Sequence, residues 1–315
     1  MENGITHKNP SRLRSVLIFL GVVGPGIITA SAGNDAGGIT TYSVAGAHFG
    51  YSTLWVFLPM VLPLIILQEM AARMGVVTGK GLADLIREKF GVKVTFYAMG
   101  LFLVSSFLNI ISEFSGIAAS CEIFGIPRFV SLPLAGVVIW WIVVKGTYKS
   151  VEKIFFIGAF FYVAYIISGF LVKPEWPVIS SEMVIPHMKV NKEYLYILMG
   201  IVGTTIAPWM QFYQQSTVVE KGIRISDYKY TRLDIIIGAV TMVVVALFIV
   251  IACADTLFKS GVRIHTAEQA ALALQPLAGR HCMSLFAFGL LNASMFSAMI
   301  LPLAAAYSVC EGMGW

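Results

Sequence analysis

Residues 24–50 read GPGIITASAGNDAGGITTYSVAGAHFG, a hydrophobic run of helical length broken at its centre by SAGNDAGG, with one acid, Asp35, inside the break. Glycine is a poor helix former, so the cluster around Asp35 predicts an unwound segment. A carboxylate deep in an apolar stretch is costly to bury unless it meets a cation or another partner. An ion site is therefore the leading reading of this stretch.

The rest of the chain sets that site in a bilayer. It is 57% hydrophobic and only 12% charged, with a mean hydropathy of +0.81; soluble domains carry about a quarter charged residues. The expected class is an all-α polytopic membrane protein. The basic N-terminal stretch MENGITHKNPSRLRS runs into an apolar segment without a small-residue cleavage site, so no removable signal peptide is expected. A net charge of +5 is spread along the chain and argues against a nucleic-acid partner. Cys121, Cys253, Cys282 and Cys310 lack CxxC spacing and read as apolar thiols. Neither enzymatic chemistry nor a cofactor is expected.

Apolar runs long enough to cross about 30 Å of hydrocarbon fall near Val16 to His48 (broken), Tyr51 to Val77, Thr95 to Glu122, Phe129 to Val144, Ile154 to Val172, Tyr194 to Val219 (broken), Leu233 to Ala254 and Cys282 to Val309. With the N-terminus inside, these eight spans place fourteen Lys and Arg in inner segments and seven in outer ones. That bias predicts a cell-membrane protein with a cytoplasmic N-terminus. Thr78 to Lys93 puts Leu82, Leu85, Ile86 and Phe90 on one helical face and predicts an amphipathic helix on the inner surface. His265 to Leu277 predicts a short outer helix. Lys173 to Asn191, rich in Pro and polar residues, predicts an extracellular hinge or connector.

A second break lies in Tyr194 to Val219, where GTTIAP interrupts the run. Pro208 removes an amide donor, Gly203 and the β-branched pair Thr204 and Thr205 weaken the helix, and unwinding is expected over Thr204 to Ala207. Breaks in spans one and six, five helices apart, fit two inverted five-helix repeats of the leucine-transporter-like kind, with the site between the broken helices at the midplane. The expected division is residues 1–172 for the first repeat, 173–191 for the connector and 192–315 for the second.

The donors expected there are the Asp35 carboxylate, the carbonyls near Ala32 and Thr204, and the hydroxyls of Thr204 and Thr205. All are hard oxygens. Neither break holds Cys, His or Met, the nearest thioether being Met210, and such ligands suit Mg²⁺, Ca²⁺ or Mn²⁺. Gly38 and Ala207 offer little side chain, so a roomy pocket for a partly hydrated Mg²⁺ is expected. Among other acids, Glu69 is expected to pair with Arg73 at i and i+4, and Asp255 and Glu311 to be solvated at span ends. His48 and Trp209 either line an aqueous path or pack.

These motifs resemble the Nramp family of divalent-metal transporters. The family's Asp-Pro-Gly-Asn appears as Asp35-Ala36-Gly37-Gly38, its Gly-Ala-Thr-Val-Met-Pro as GTTIAP, and ITTYSVAGAHFGYSTLW, QEMAARMGVVTGKGLADLIRE and SEFSGIAASCEIFGIP are similar as well. The resemblance implies metal binding by Asp35 and by the carbonyls of Ala32 and Thr204. Two departures follow: the family's metal-binding Asn is Gly38, and its thioether ligand is Ala207. That pattern resembles the Nramp-related magnesium transporters. The family's relay histidines correspond to Trp209 and Gln214, and its third-span Asp-x-x-Glu to Ile110 and Glu113, so the resemblance implies uncoupled Mg²⁺ uptake, with Mn²⁺ as a second cargo. Trp209, Glu113 and Gln214 are candidate permeation-path residues. The family's ten or more core helices leave the second repeat, in eight spans, without its fourth and fifth members. The rival readings are a proton-coupled Mn²⁺/Fe²⁺ Nramp, an amino-acid or other organic-substrate symporter of the same architecture, and a non-transporting membrane sensor.

Overall fold

A computed structural model describes residues 24–146, 148–188 and 191–315. The start of the first expected span and the basic residues Lys8, Arg12, Arg14 and Lys189 lie outside these residues.

The broken first span is a pair of half-helices. Helix α1 spans Pro25–Ala32, opening on a proline at the position where a missing N–H costs nothing. Helix α2 spans Ala36–Phe49 and is capped by Asp35. A 3₁₀ turn, Gly50–Val56, leads into α3, Phe57–Thr78. Gly79 then closes α3 in the left-handed conformation that glycine takes at little cost.

Helix α4, Leu82–Ile123, bends at Gly91, whose φ of 81° only glycine adopts readily. The amphipathic stretch therefore breaks off from the span that follows. Its Leu82, Leu85 and Ile86 are half-buried while Phe90 is exposed. Then come α5, Arg128–Lys145, α6, Tyr148–Phe161, and α7, Val163–Leu171. The stretch expected to be a hinge or connector holds a helix, α8, Trp176–Val184, started by a proline in its first turn.

The second broken span is α9, Lys192–Thr205, and α10, Pro208–Glu220. Here the expected unwinding is corrected. Thr204 and Thr205 are helical, and the break is confined to Ile206 and Ala207. Pro208 deprives only the carbonyl four residues back, that of Thr204, of its donor. The amides of Thr204 and Thr205 point upstream and keep their partners.

Helix α11, Tyr228–Cys253, continues into a π-turn, Ala254–Phe258. The short helix α12, Ala267–Ala278, is capped by the Thr266 hydroxyl, and α13, Arg280–Met313, ends the chain. Among the described residues seven helical stretches are long and apolar enough to cross a membrane. The expected count was eight. The 3₁₀ turn joins α2 and α3 into one stretch, residues 36–78, and so merges the first two spans.

Burial sorts these helices. Two-thirds of the apolar windows of α11 and α13 are buried, against 17% for α5, so α11 and α13 form the protein core. Helices α4 and α5 turn Leu101, Phe107, Trp140 and Trp141 outward, as a lipid-facing surface requires. Helices α1 and α11 cross almost backbone to backbone. A methyl on Gly26 would lie 2.7 Å from the Ile235 nitrogen, and one on Gly238 would lie 2.6 Å from the Gly26 carbonyl oxygen.

Candidate metal centre

Asp35 stands at the N-terminus of α2, 7% exposed, and its Oδ1 accepts the Gly38 N–H at 2.7 Å. The carboxylate thus faces the free amides of the first turn of α2. No ion pair among the described residues involves Asp35. Oxygens from both broken spans converge beside Gly38. A methyl placed there would lie 3.2 Å from Thr204 Oγ1, 3.3 Å from Asp35 Oδ1 and 3.3 Å from the Gly33 carbonyl oxygen. The Thr204 carbonyl lacks a helical donor because residue 208 is proline. The Ala32 carbonyl accepts from Ser297 Oγ on α13 at 3.0 Å, which leaves one lone pair. No group of three or more His, Cys, Asp or Glu that could hold a metal occurs among the described residues; beside Gly38 the Asp35 carboxylate stands with the neutral oxygens of Thr204 and Gly33.

Three expectations change. Thr205 does not face the centre with a free hydroxyl: its Oγ1 donates to the Ile201 carbonyl at 2.7 Å and pairs with Tyr42 Oη at 2.8 Å. The space beside Gly38 is narrow, because α9 lies close against α2, with Gly200 facing Thr41. Ala207 is half-buried at the break, where it brings no donor atom of its own side chain. Nor is the first break free of sulfur. A methyl on Gly33 would meet Met242 Sδ at 2.9 Å and Met210 Cε at 3.0 Å.

Reasoning from sequence missed Met242, and it missed Asn34. The Asn34 amide donates to the Met242 carbonyl at 3.1 Å, and its Oδ1 is buried without a partner. Both link α11 to the break across 208 residues of sequence, a separation that no local pattern reports.

Glu113, fully buried on α4, accepts the Ala36 N–H at 3.1 Å through Oε2, while its Oε1 has no partner. It therefore touches the residue next to Asp35. Trp209 is buried with an unpartnered indole N–H, and Gln214 is buried with both ends of its amide unpartnered. A cleft of about 130 Å³ runs between α2, α4 and α12, lined by Thr40, Ser112, Ser115 and Thr266 among others, and it reaches Ala36. Along α10, Met210 and residues 213–218 are buried, and a cavity of about 300 Å³ between α4 and α10 reaches Pro208 and Trp209.

The remaining acids are structural. Glu69 pairs with Arg73 at 3.7 Å, as expected, and also accepts from Tyr228. Asp255 is not solvated: its side chain is buried in the π-turn and paired with Lys259, which also holds Glu175 at 2.8 Å. Glu311 is half-buried and accepts from Ser216 at 2.6 Å. His48 bonds the Ile264 carbonyl at 2.9 Å.

Residues 26–315 match the family model described as natural resistance-associated macrophage protein-like, Nramp. The chain belongs to the Nramp family. It is 28% identical over 296 residues to the divalent metal cation transporter MntH of Yersinia enterocolitica, covering 91% of this chain and 72% of that one. To the MntH of Klebsiella pneumoniae it is 27% identical over 306 residues, covering 94% and 73%. In three dimensions it resembles crystal structures of the Eremococcus coleocola manganese transporter. A single-residue variant superposes with a TM-score of 0.85 at 19% identity, covering 98% of this chain and 69% of the other. A complex with an aromatic bis-isothiourea compound gives 0.81. The Nramp chain thus has the expected all-α, leucine-transporter-like membrane fold.

Proposed function

We propose that this Nramp chain moves divalent metal cations across a membrane by alternating access around Asp35. The observation that carries the reading is the meeting of one unpaired carboxylate with the Thr204 hydroxyl and the Gly33 carbonyl beside Gly38. A transported ion needs a site of moderate charge, held by helices that can part, and half-helix ends provide one. The similarity to MntH and to the manganese transporter points to the same cargo class.

The finer reading is uptake of Mg²⁺, with Mn²⁺ also carried, and without proton coupling. The donors beside Gly38 are oxygens, the side chain before Pro208 is Ala207, and the relay positions are Trp209, Gln214 and Ile110. Residues 1–172 and 192–315 act as inverted repeats about the connector 173–191, with the N-terminus in the cytoplasm. The test is proteoliposome uptake of Mg²⁺ and Mn²⁺ with luminal pH recorded. Saturable Mg²⁺ entry without acidification is expected, and failure of Mg²⁺ to enter at millimolar levels removes the Mg²⁺ assignment.

One observation favours a second reading, proton-coupled Mn²⁺ transport. Glu113 keeps an unpartnered buried oxygen beside the residue that follows Asp35. Mn²⁺ entry with luminal acidification would establish it.

A further inference from the structure

Helix α1 is tied to α11 at both ends. At its start, Asp234 of α11, fully buried, accepts the N–H of Gly26 at 2.7 Å and of Gly24 at 3.2 Å on Oδ2, and that of Ile27 at 3.3 Å on Oδ1. A helix N-terminus leaves its first amides without intrahelical partners, and a carboxylate there satisfies them with charge-assisted bonds. At its end, Asn34 bonds the Met242 carbonyl and Met242 packs on Gly33. Between these points Gly26 and Gly238 let the two backbones touch.

We propose that Asp234 is a positioning residue: by holding the N-terminus of α1 on α11, it keeps the Asp35 centre closed on the side opposite the cleft. The cleft reaches Ala36 from the α12 side. Access from the other side requires α1 to leave α11 or to carry α11 with it. Because Asp234 bonds backbone amides, a change of side chain at position 27 leaves the tie intact, whereas a side chain at Gly26 would press on the Ile235 backbone and a change at 234 removes the acceptor. The consequence for flux rests on the transport reading; the tie itself does not.

The test is thiol accessibility in the full chain reconstituted in vesicles, with exposed Cys310 replaced by Ser. Ile28→Cys reports on buried α1 and Ser112→Cys on the cleft. Asp234→Ala is expected to raise maleimide labelling of Ile28→Cys by about tenfold and to lower that of Ser112→Cys as the population shifts. Asp234→Asn, which keeps shape and a neutral acceptor, falls between. If Asp234→Ala does not fold, Asp234→Asn decides. Unchanged Ile28→Cys labelling in Asp234→Asn and Asp234→Ala overturns the proposal, and so does a parallel rise at both probes, which signals general loosening. Labelling needs neither metal nor flux, so it stands or falls separately from the transport reading.

Discussion

Asp35 Oδ1 and Thr204 Oγ1 approach the same point beside Gly38, at 3.3 and 3.2 Å, although 169 positions separate Asp35 and Thr204 in sequence. The pairing follows from two local events. Asp35 turns inward because it caps α2 through the Gly38 amide, and Thr204 stays helical because Pro208 disturbs only its carbonyl. A carboxylate from one broken helix and a hydroxyl from the other thus form one site that separates whenever the helices part.

Replacing Asp35 removes the carboxylate that faces Thr204 and the Gly33 carbonyl beside Gly38. Asp35→Ala is expected to weaken Mn²⁺ and Mg²⁺ binding by about 100-fold or more, measured by titration calorimetry. Asp35→Asn, which keeps the cap on α2, is expected to lose binding while retaining thermal stability.

The glycine at 38 is required by space. Gly38→Ala places a methyl against three oxygens at 3.2–3.3 Å, an overpacking that costs about 1–3 kcal/mol. A lowered Tm together with weaker Mn²⁺ binding is expected.

Ala207→Met puts a thioether at the second break, and it is expected to raise Cd²⁺ and Mn²⁺ uptake relative to Mg²⁺. Met242→Leu is expected to leave that ratio unchanged, since the Met242 sulfur packs on the Gly33 α-carbon face while the Gly33 carbonyl points toward Gly38. Competition uptake assays separate the two.

Glu113→Gln retains an oxygen for the Ala36 amide and removes the proton-accepting group. Under uncoupled transport, Mn²⁺ uptake and its pH profile are expected to match the unsubstituted protein. A collapse of pH-dependent uptake would instead establish the proton-coupled reading.

Much of this was readable from local sequence. Gly33, Gly37 and Gly38 around one acid contradict a continuous apolar helix, and so the first break and Asp35 stood out. The second break was drawn two residues too long at its start because Gly203, Thr204 and Thr205 were weighed by propensity, whereas Thr205 gains a hydroxyl bond to Ile201 and another to Tyr42. Asp234, Asn34 and Met242 were illegible for a different reason. Their partners lie more than 200 residues away, and an acid at the edge of an apolar run looks solvated until α1 is laid across it. Asp255 was misread for another reason: its partner Lys259 is only four residues on, but a π-turn that buries the carboxylate leaves no mark in the local pattern.

The most direct measurement is an anomalous-scattering map from crystals soaked in Mn²⁺. A peak is expected between the breaks, at about 2.0–2.6 Å from an Asp35 carboxylate oxygen and from oxygens of Thr204 or Gly33. A peak that lies elsewhere, or one whose ligands exclude Asp35, would contradict a metal centre at the meeting of the two broken helices.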